Sequence, residues 1–228
     1  MANTKKPIIC LTGNNFSGKF LECWTDLLMY CAAQEDLDIT VARSESCNIY
    51  HARNFSLGGR VLNGKSQKPF NGQIDYTHIV WIDNDIVFQP AQFRKLLEHD
   101  KDVVAGVYKY NAAFGGLYTG NLKLACGWFD AGFPTQTLSC TSLTEERSKS
   151  YFSPLIEVDW TGFGFISVKK GVFEQIEYPW FEPLSFRLRE EEFQLTDDLA
   201  VCWKIKKAGF KIHIDRDIQV GHEKRTIV

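Results

Sequence analysis

Residues 78–88 read HIVWIDNDIVF, an apolar run that ends in the acidic sequence Asp83-Asn84-Asp85. Its first part, 78–82, is typical of a strand that is buried on both faces, as strands of parallel sheets are. Residues i and i+2 of an extended chain point the same way, so we expect Asp83 and Asp85 to face one crevice. Open α/β sheets bind ligands beyond the carboxyl ends of their strands, which makes this pair the first candidate site.

A divalent cation is the natural partner of this acidic pair. Two neighbouring carboxylates repel each other unless a cation lies near them. Mn²⁺ and Mg²⁺ take such oxygen ligands, and His222 could add an imidazole from near the end of the chain. A solvated acidic turn is the alternative for Asp83-Asn84-Asp85, and an exposed side chain is the alternative for His222.

Strand and helix patterns alternate around this stretch. Apolar runs predict strands, and helical spacing predicts helices, over the segments that follow. The strands are 7–12, 37–42 and 103–108. The helices are 20–33, a shorter one between 50 and 62 that Gly58-Gly59 closes, and one that begins at Pro90. This alternation predicts an α/β layer fold with a mainly parallel sheet.

The second half of the chain carries fewer clear patterns. Residues 111–153 show no lasting period, which is typical of a functional loop or an irregular sheet. Residues 182–194 are predicted to form a charged loop. A helix over 199–208, ended by Gly209, and a strand over 210–214 complete the predicted order.

The composition is that of a globular protein. Its 228 residues fit one large domain or two small ones at most. Lys and Arg number 26 against 28 Asp and Glu, and without a basic excess a nucleic-acid partner is disfavoured. Seven cysteines without a C-x-x-C predict neither a disulfide framework nor a zinc knuckle. No apolar run approaches the ~20 residues of a membrane span, and the start lacks a signal-peptide pattern, so we expect a cytoplasmic protein.

A second acidic pair, Asp197-Asp198, opens the helix predicted over 199–208. Asp is a preferred N-cap and complements the helix dipole, so capping alone explains one of the two. The other could serve as a general base, an effect worth roughly 10²–10⁴-fold in rate.

A phosphate-binding motif competes with this interpretation. Residues 13–19, GNNFSGK, fit G-x-x-x-x-G-K between a predicted strand and helix, with Lys19 as the phosphate lysine. Asp83 would then be the acidic metal partner on a neighbouring strand. Phe20, however, stands where a P-loop needs a Ser or Thr hydroxyl for Mg²⁺. An ATP-dependent kinase or nucleotidase of the P-loop type is therefore the alternative function.

Taken in order, these segments resemble the nucleotide-sugar-dependent glycosyltransferases of the GT-A fold, and among them the soluble bacterial and large-virus enzymes. The resemblance rests on five short stretches that together touch most of the chain. They are LTGNN (11–15), NIYHARN (48–54), HIVWIDNDIVF (78–88), VDWTGFGFISVKKGVF (158–173) and TDDLAVCWKIKKAGFKIHIDRDIQVGHEK (196–224).

The resemblance implies a fold and a division of labour along the chain. The fold would be a Rossmann-like three-layer α/β/α arrangement around a mixed, mainly parallel sheet. The chain would be a single domain over 1–228. Within it, 1–110 would form the nucleotide-binding half and 111–228 the acceptor and catalytic half.

The resemblance also implies roles for individual residues. The metal would be held by Asp83, Asp85 and His222, and the base would be Asp198 with Asp197 as the alternative. The donor would be bound by Thr12, Gly13, Asn14, Arg53, Asp83, Asn84, Gly162, Gly164 and Lys224. The family often has Glu where this chain has Asp197, which leaves open which carboxylate faces the acceptor.

The implied activity is transfer of a sugar from a nucleotide diphosphate donor, UDP-linked, to a hydroxyl of a glycan or glycoprotein, with Mn²⁺ or Mg²⁺. Four aromatic residues could stack on sugar rings or pack in the core: Phe114, Trp128, Phe129 and Trp160. A catalytically inactive module that binds a sugar nucleotide is a further alternative.

Overall fold

The computed structural model describes residues 4–109 and 123–223. Within these ranges a seven-stranded sheet forms the centre of the fold. Its strands, in spatial order, are β2 (Thr40–Ser44), β1 (Pro7–Thr12), β3 (His78–Asp83), β10 (Phe165–Lys169), β5 (Val103–Val107), β13 (Ile212–Gln219) and β8 (Leu155–Val158).

The directions of the strands confirm the predicted mixed sheet. Among the described strands of this sheet, β1 is parallel to β2 and β3, and β13 is parallel to β5. Strand β10 runs antiparallel to both of its neighbours, β3 and β5, and β8 runs antiparallel to β13. Five of these seven described strands therefore run in one direction, and β10 and β8 run in the other.

Helices cover both faces of the sheet, as the α/β prediction requires. On one face, Ile9 and Leu11 of β1 pack in a cluster with Phe20 of α1 (Gly18–Ala32) and Phe93 of α3 (Pro90–Glu98). On the other face, alternate residues of β1 pack in a cluster that includes Val201 of α5 (Asp197–Lys207). Helix α2 (Ile49–Ser56) contacts β1 and β2. The α/β class is confirmed, with helices on both faces of the sheet.

The ends of the helices follow from local chemistry. Ser17 caps α1 by accepting a hydrogen bond from the Phe20 amide, 3.0 Å long. Helix α5 begins at Asp197, two residues earlier than predicted, and carries both acidic residues in its first turn, where they complement the helix dipole. Helix α2 ends at Ser56, just before the predicted stop at Gly58, which turns the chain with φ +73°.

The region predicted to lack regular elements contains several within its described part. Strands β6 (Lys123–Phe129), β7 (Cys140–Thr144) and β9 (Trp160–Thr161) form a three-stranded sheet, and α4 (Glu145–Lys149) follows β7. This fits the predicted irregular sheet better than a loop. Residues 110–122 lie outside the described residues.

Two β-ribbons complete the described structure. The predicted charged loop over 182–194 is instead a hairpin of β11 (Leu184–Leu188) and β12 (Glu191–Leu195), which turns at Arg189 with φ +58°. The charged side chains on its exposed positions hide the strand pattern. Strand β4 (Ile86–Val87) pairs with β14 (Gly221–His222), so the end of the described chain returns to the carboxyl edge of β3.

Two expectations about the chain as a whole can be compared with the structure. The seven cysteines are all free thiols. Among the described residues, no helix is both long enough and apolar enough to cross a bilayer.

Candidate functional site

The candidate site begins where β1 and β3 end side by side. Thr12 and Asp83 are register partners on these parallel strands, and the buried Thr12 hydroxyl donates to Asp83 Oδ1 at 2.8 Å. This bond fixes one carboxylate of the predicted acidic pair at the edge of the sheet.

The loop after β1 packs against the loop after β3. Gly13 has φ +99°, and a Cβ there would lie 2.9 Å from Asn84 Nδ2. Asn84 in turn donates to the Asn15 carbonyl at 2.6 Å. The structure thus brings together Thr12, Gly13 and Asn84, three of the predicted donor-binding residues, with Asn14 exposed beside them.

Arg53 ties this edge to the start of α5. Its side chain is only 3% exposed, and its Nη2 contacts Asp83 Oδ2 at 3.1 Å. Its Nη1 binds Asp197 Oδ2 at 2.8 Å and also pairs with Asp198 Oδ1. Burial lowers the pKa of Arg53, but the carboxylates of Asp198, Asp83 and Asp197 outweigh it and raise that pKa above its usual value.

The surroundings of Arg53 make these ion pairs strong. Its guanidinium lies over the rings of Phe163 and Phe181, at 5.6 and 5.8 Å from their centroids. Its Nε is buried with no hydrogen-bond partner among the described residues. Since aromatic rings provide little screening, the charge of Arg53 is directed at the three carboxylates. The sequence predicted Arg53 as a diphosphate contact and did not foresee this arrangement.

Asp198 has the ionisation behaviour of a candidate base. Burial, together with the neighbouring carboxylates of Asp197 and Asp83, raises its pKa to about 6, against the opposing effect of Arg53. The Phe163 amide donates to Asp198 Oδ2 at 3.3 Å. A carboxylate that titrates near neutrality can both take up and release a proton under physiological conditions.

Asp85 and His222 form a second side-chain contact at the same edge of the sheet. His222 Nε2 lies 3.0 Å from Asp85 Oδ2, and its Nδ1 lies 3.3 Å from the Lys109 carbonyl. The pairing of β4 with β14 and a 2.7 Å bond from the Glu223 amide to the Asp85 carbonyl hold the two segments together. The structure therefore joins two of the three predicted metal ligands.

The third predicted ligand, Asp83, is engaged elsewhere, by Thr12 and Arg53. Within residues 4–109 and 123–223, no group of three or more His, Cys, Asp or Glu side chains is arranged so that it could hold a metal ion. The metal prediction thus rests on the pair Asp85 and His222.

Gly162 and Gly164 face a side chain that sequence reasoning missed. A Cβ at Gly162 would lie far inside van der Waals contact with the Tyr108 hydroxyl, and one at Gly164 would lie 3.0 Å from it. The Gly164 amide donates to that hydroxyl at 3.2 Å. Tyr108 directly follows β5, so its position at the end of a buried strand was the signal that could have found it.

The phosphate-loop alternative depends on Lys19 and the residue that follows it. Lys19 is exposed on the first turn of α1. Phe20, which occupies the position of the P-loop hydroxyl, is 1% exposed and packs against Phe16 and Phe88. Because this position holds a phenylalanine whose ring is buried in the core, it supplies no hydroxyl that could bind Mg²⁺ as in a P-loop.

The predicted sugar-stacking residues differ in how far they are buried. Trp160 is 6% exposed and belongs to the core, whereas Trp128 is half-buried, with Arg147 4.5 Å from its ring centroid. Phe129 stacks on Phe133 with ring centroids 4.7 Å apart. Phe114 and Lys224 lie outside the described residues.

Comparison with known proteins gives a result for the fold alone. No protein family model matches the chain, and no curated protein does. The structure is similar to that of A197 from STIV, with 13% sequence identity and a TM-score of 0.50, over 99% of this chain and 97% of the other.

It also matches the inositol-1-phosphate CTP transferase from T. maritima, with 11% identity and a TM-score of 0.40, over 96% and 89% of the two chains. The second likeness is too low to carry an argument. The first extends along nearly the whole of both chains, so this protein shares its overall fold with A197 from STIV.

Proposed function

We propose that this protein is a metal-dependent glycosyltransferase of the GT-A type. It would move a sugar from a UDP-linked donor to a hydroxyl group on a glycan or glycoprotein. One observation carries the proposal. Asp83, at the end of β3, and Asp197 and Asp198, at the start of α5, meet on the single buried side chain of Arg53. Acidic groups from two distant segments are thereby gathered at the carboxyl edge of the sheet, where α/β proteins bind ligands.

Asp85 and His222 fit a divalent ion. His222 Nε2 lies 3.0 Å from Asp85 Oδ2, so an imidazole nitrogen and a carboxylate oxygen stand side by side at the carboxyl edge of the sheet. These two residues would give such an ion one nitrogen and one oxygen ligand.

Mn²⁺ suits a mixed oxygen and nitrogen donor pair, and Mg²⁺ is the alternative. Bound by Asp85 and His222, such an ion would supply a Lewis acid that neutralises charge developing on the diphosphate. Asp83, held by Thr12 and Arg53, would face the donor from the other side of the same turn. In this arrangement Asp83 would belong to the donor site, and Asp85 and His222 would hold the ion.

The nucleotide would lie along the edge formed by β1 and β3. Thr12, Gly13, Asn14 and Asn84 are proposed to line it, because their loops meet there and Gly13 allows close packing. The loop 162–164 would approach the donor sugar, and Lys224 is proposed to contact the diphosphate.

Asp198 is the proposed general base. Its carboxylate would accept the proton of the acceptor hydroxyl as that oxygen bonds to the anomeric carbon and the nucleotide diphosphate leaves. Arg53 and the Phe163 amide fix the two carboxylate oxygens of Asp198. Asp197 stays the alternative base, since it binds the same guanidinium group.

The test is turnover of a panel of UDP-sugars with Mn²⁺, measured as UDP release with and without simple glycan acceptors. Asp198→Asn is expected to lower turnover by roughly 10²–10⁴-fold while UDP binding persists. Asp75→Asn, at a surface carboxylate with 71% exposure, is the matched control and is expected to keep wild-type turnover. Undiminished turnover in Asp198→Asn would exclude the base assignment. UDP binding without turnover in the wild type would instead indicate the inactive binding module.

A further inference from the structure

Tyr108 is a residue of the candidate site that the proposed mechanism does not use. It directly follows β5, is 8% exposed, and lies between two parts of the site. Its hydroxyl accepts the Gly164 amide hydrogen bond of 3.2 Å and fills the space beside Gly162 that a Cβ would need. Tyr108 therefore fixes the loop 162–164 by shape and by a hydrogen bond.

That loop in turn contacts two of the three acidic residues that pair with Arg53. The Phe163 amide donates to Asp198 Oδ2 at 3.3 Å. The Asp83 amide donates to the Gly164 carbonyl at 2.9 Å. Gly164, which donates to the Tyr108 hydroxyl, thus also accepts from the Asp83 amide. Its neighbour Phe163 donates to the side chain of Asp198.

The other side of Tyr108 touches the metal pair. Its ring lies edge-to-face with the imidazole of His222, with centroids 5.1 Å apart and an interplanar angle of 68°. The next residue, Lys109, has its carbonyl 3.3 Å from His222 Nδ1. These two consecutive residues therefore orient His222 by ring packing and by a hydrogen bond.

We infer that Tyr108 is a positioning residue that sets the loop 162–164, and with it Asp198, against His222. The inference rests on the proposed function. Two parts of the side chain carry separate tasks. The hydroxyl orders the loop on which Asp198 depends, and the ring orients the imidazole on which the metal depends.

Two variants separate these tasks. Tyr108→Phe removes the hydroxyl and keeps the ring, so we expect kcat to fall about 10-fold while Mn²⁺-dependent UDP affinity stays within about 2-fold of wild type. Tyr108→Leu also removes the ring, so we expect UDP affinity in Mn²⁺ to fall about 10-fold in addition. A merely structural residue would not produce this split.

Tyr76→Phe is the matched control. Tyr76 is also buried, at 3% exposure, and its hydroxyl donates to Glu174 at 2.5 Å, outside the candidate site. Removing the Tyr76 hydroxyl also costs a hydrogen bond, to a carboxylate, so Tyr76→Phe is expected to lose at least as much thermal stability as Tyr108→Phe. Only Tyr108→Phe is expected to lose turnover.

The NMR signals of the His222 ring provide a readout that needs no turnover. We expect them to shift in Tyr108→Leu, because the aromatic ring above the imidazole is gone, and to stay in place in Tyr76→Phe. Unchanged His222 signals in Tyr108→Leu, or wild-type kcat in Tyr108→Phe, would overturn the inference while an active wild type keeps the proposed function. A wild type without Mn²⁺-dependent UDP binding would overturn the proposed function and this inference together.

Discussion

Asp198 is the residue at which the needs of folding and of chemistry oppose each other. Its carboxyl has a pKa of about 6 in the folded protein, above the ordinary value of 3.8, chiefly because burial disfavours the ionised form. The folded state therefore binds the proton more tightly than the unfolded chain does. The stability that this contributes is fully present below about pH 4 and is lost as pH rises through about 6.

The loss of stability with rising pH gives a prediction for Asp198→Asn. The amide is neutral at every pH, so the variant is expected to escape the loss of stability that the wild type suffers as pH rises from about 4 through about 6. Thermal unfolding at pH 5 and pH 8 measures it. The melting temperature of the variant relative to wild type should be higher at pH 8 than at pH 5. A difference that is the same at both pH values would contradict the raised pKa.

Arg53 is the residue on which the acidic cluster depends. Arg53→Met keeps much of the length and the apolar packing but leaves three carboxylates without their shared cation. We expect a loss of about 3–5 kcal/mol in the free energy of unfolding, measured by chemical denaturation at pH 7.5. Arg43→Met, which breaks a surface pair with Glu45, is the control and should cost less than about 1 kcal/mol. Equal losses in the two variants would show that the cluster does not need Arg53.

Among the secondary-structure elements, strands that are buried on both faces were the ones that the sequence predicted well. Strand β1 has the predicted bounds, and β3 extends the predicted run by one residue, because continuous apolar runs mark strands covered by helices on two sides. The hairpin 184–195 was missed because its strands alternate between partly and fully exposed positions and carry many charges. Its pattern could not be distinguished from that of a charged loop.

The loop 162–164 provides a test at this scale. In Gly162→Ala the new methyl group would collide with the Tyr108 hydroxyl, so we expect a loss of roughly 1–3 kcal/mol in unfolding free energy. Gly18→Ala, at the start of α1 with nothing within 4 Å of the new Cβ, is the control and should be neutral or slightly stabilising. Adding Tyr108→Phe to Gly162→Ala should restore part of the loss. No restoration would mean that the hydroxyl is not the obstacle.

At the scale of the whole molecule, the sequence located candidate residues but not their grouping. Asp83, Asp197 and Asp198 could be found because they stand at predicted strand or helix ends. The convergence of these three residues on Arg53 could not be found, since it depends on how α2 packs against the sheet. The mixed direction of the sheet was expected from the family resemblance alone, because no local pattern records which way β10 runs between its neighbours.

A calorimetric titration of the whole protein with UDP, in Mn²⁺ and again in EDTA, with ATP as the competing ligand, tests whether the site binds a nucleotide through a metal ion. We predict UDP binding that requires Mn²⁺, that is lost in Asp85→Asn, and that ATP does not match. UDP binding that persists unchanged in EDTA or in Asp85→Asn would contradict the metal site. Preferential binding of ATP, abolished in Lys19→Ala, would contradict the glycosyltransferase proposal and support the phosphate loop.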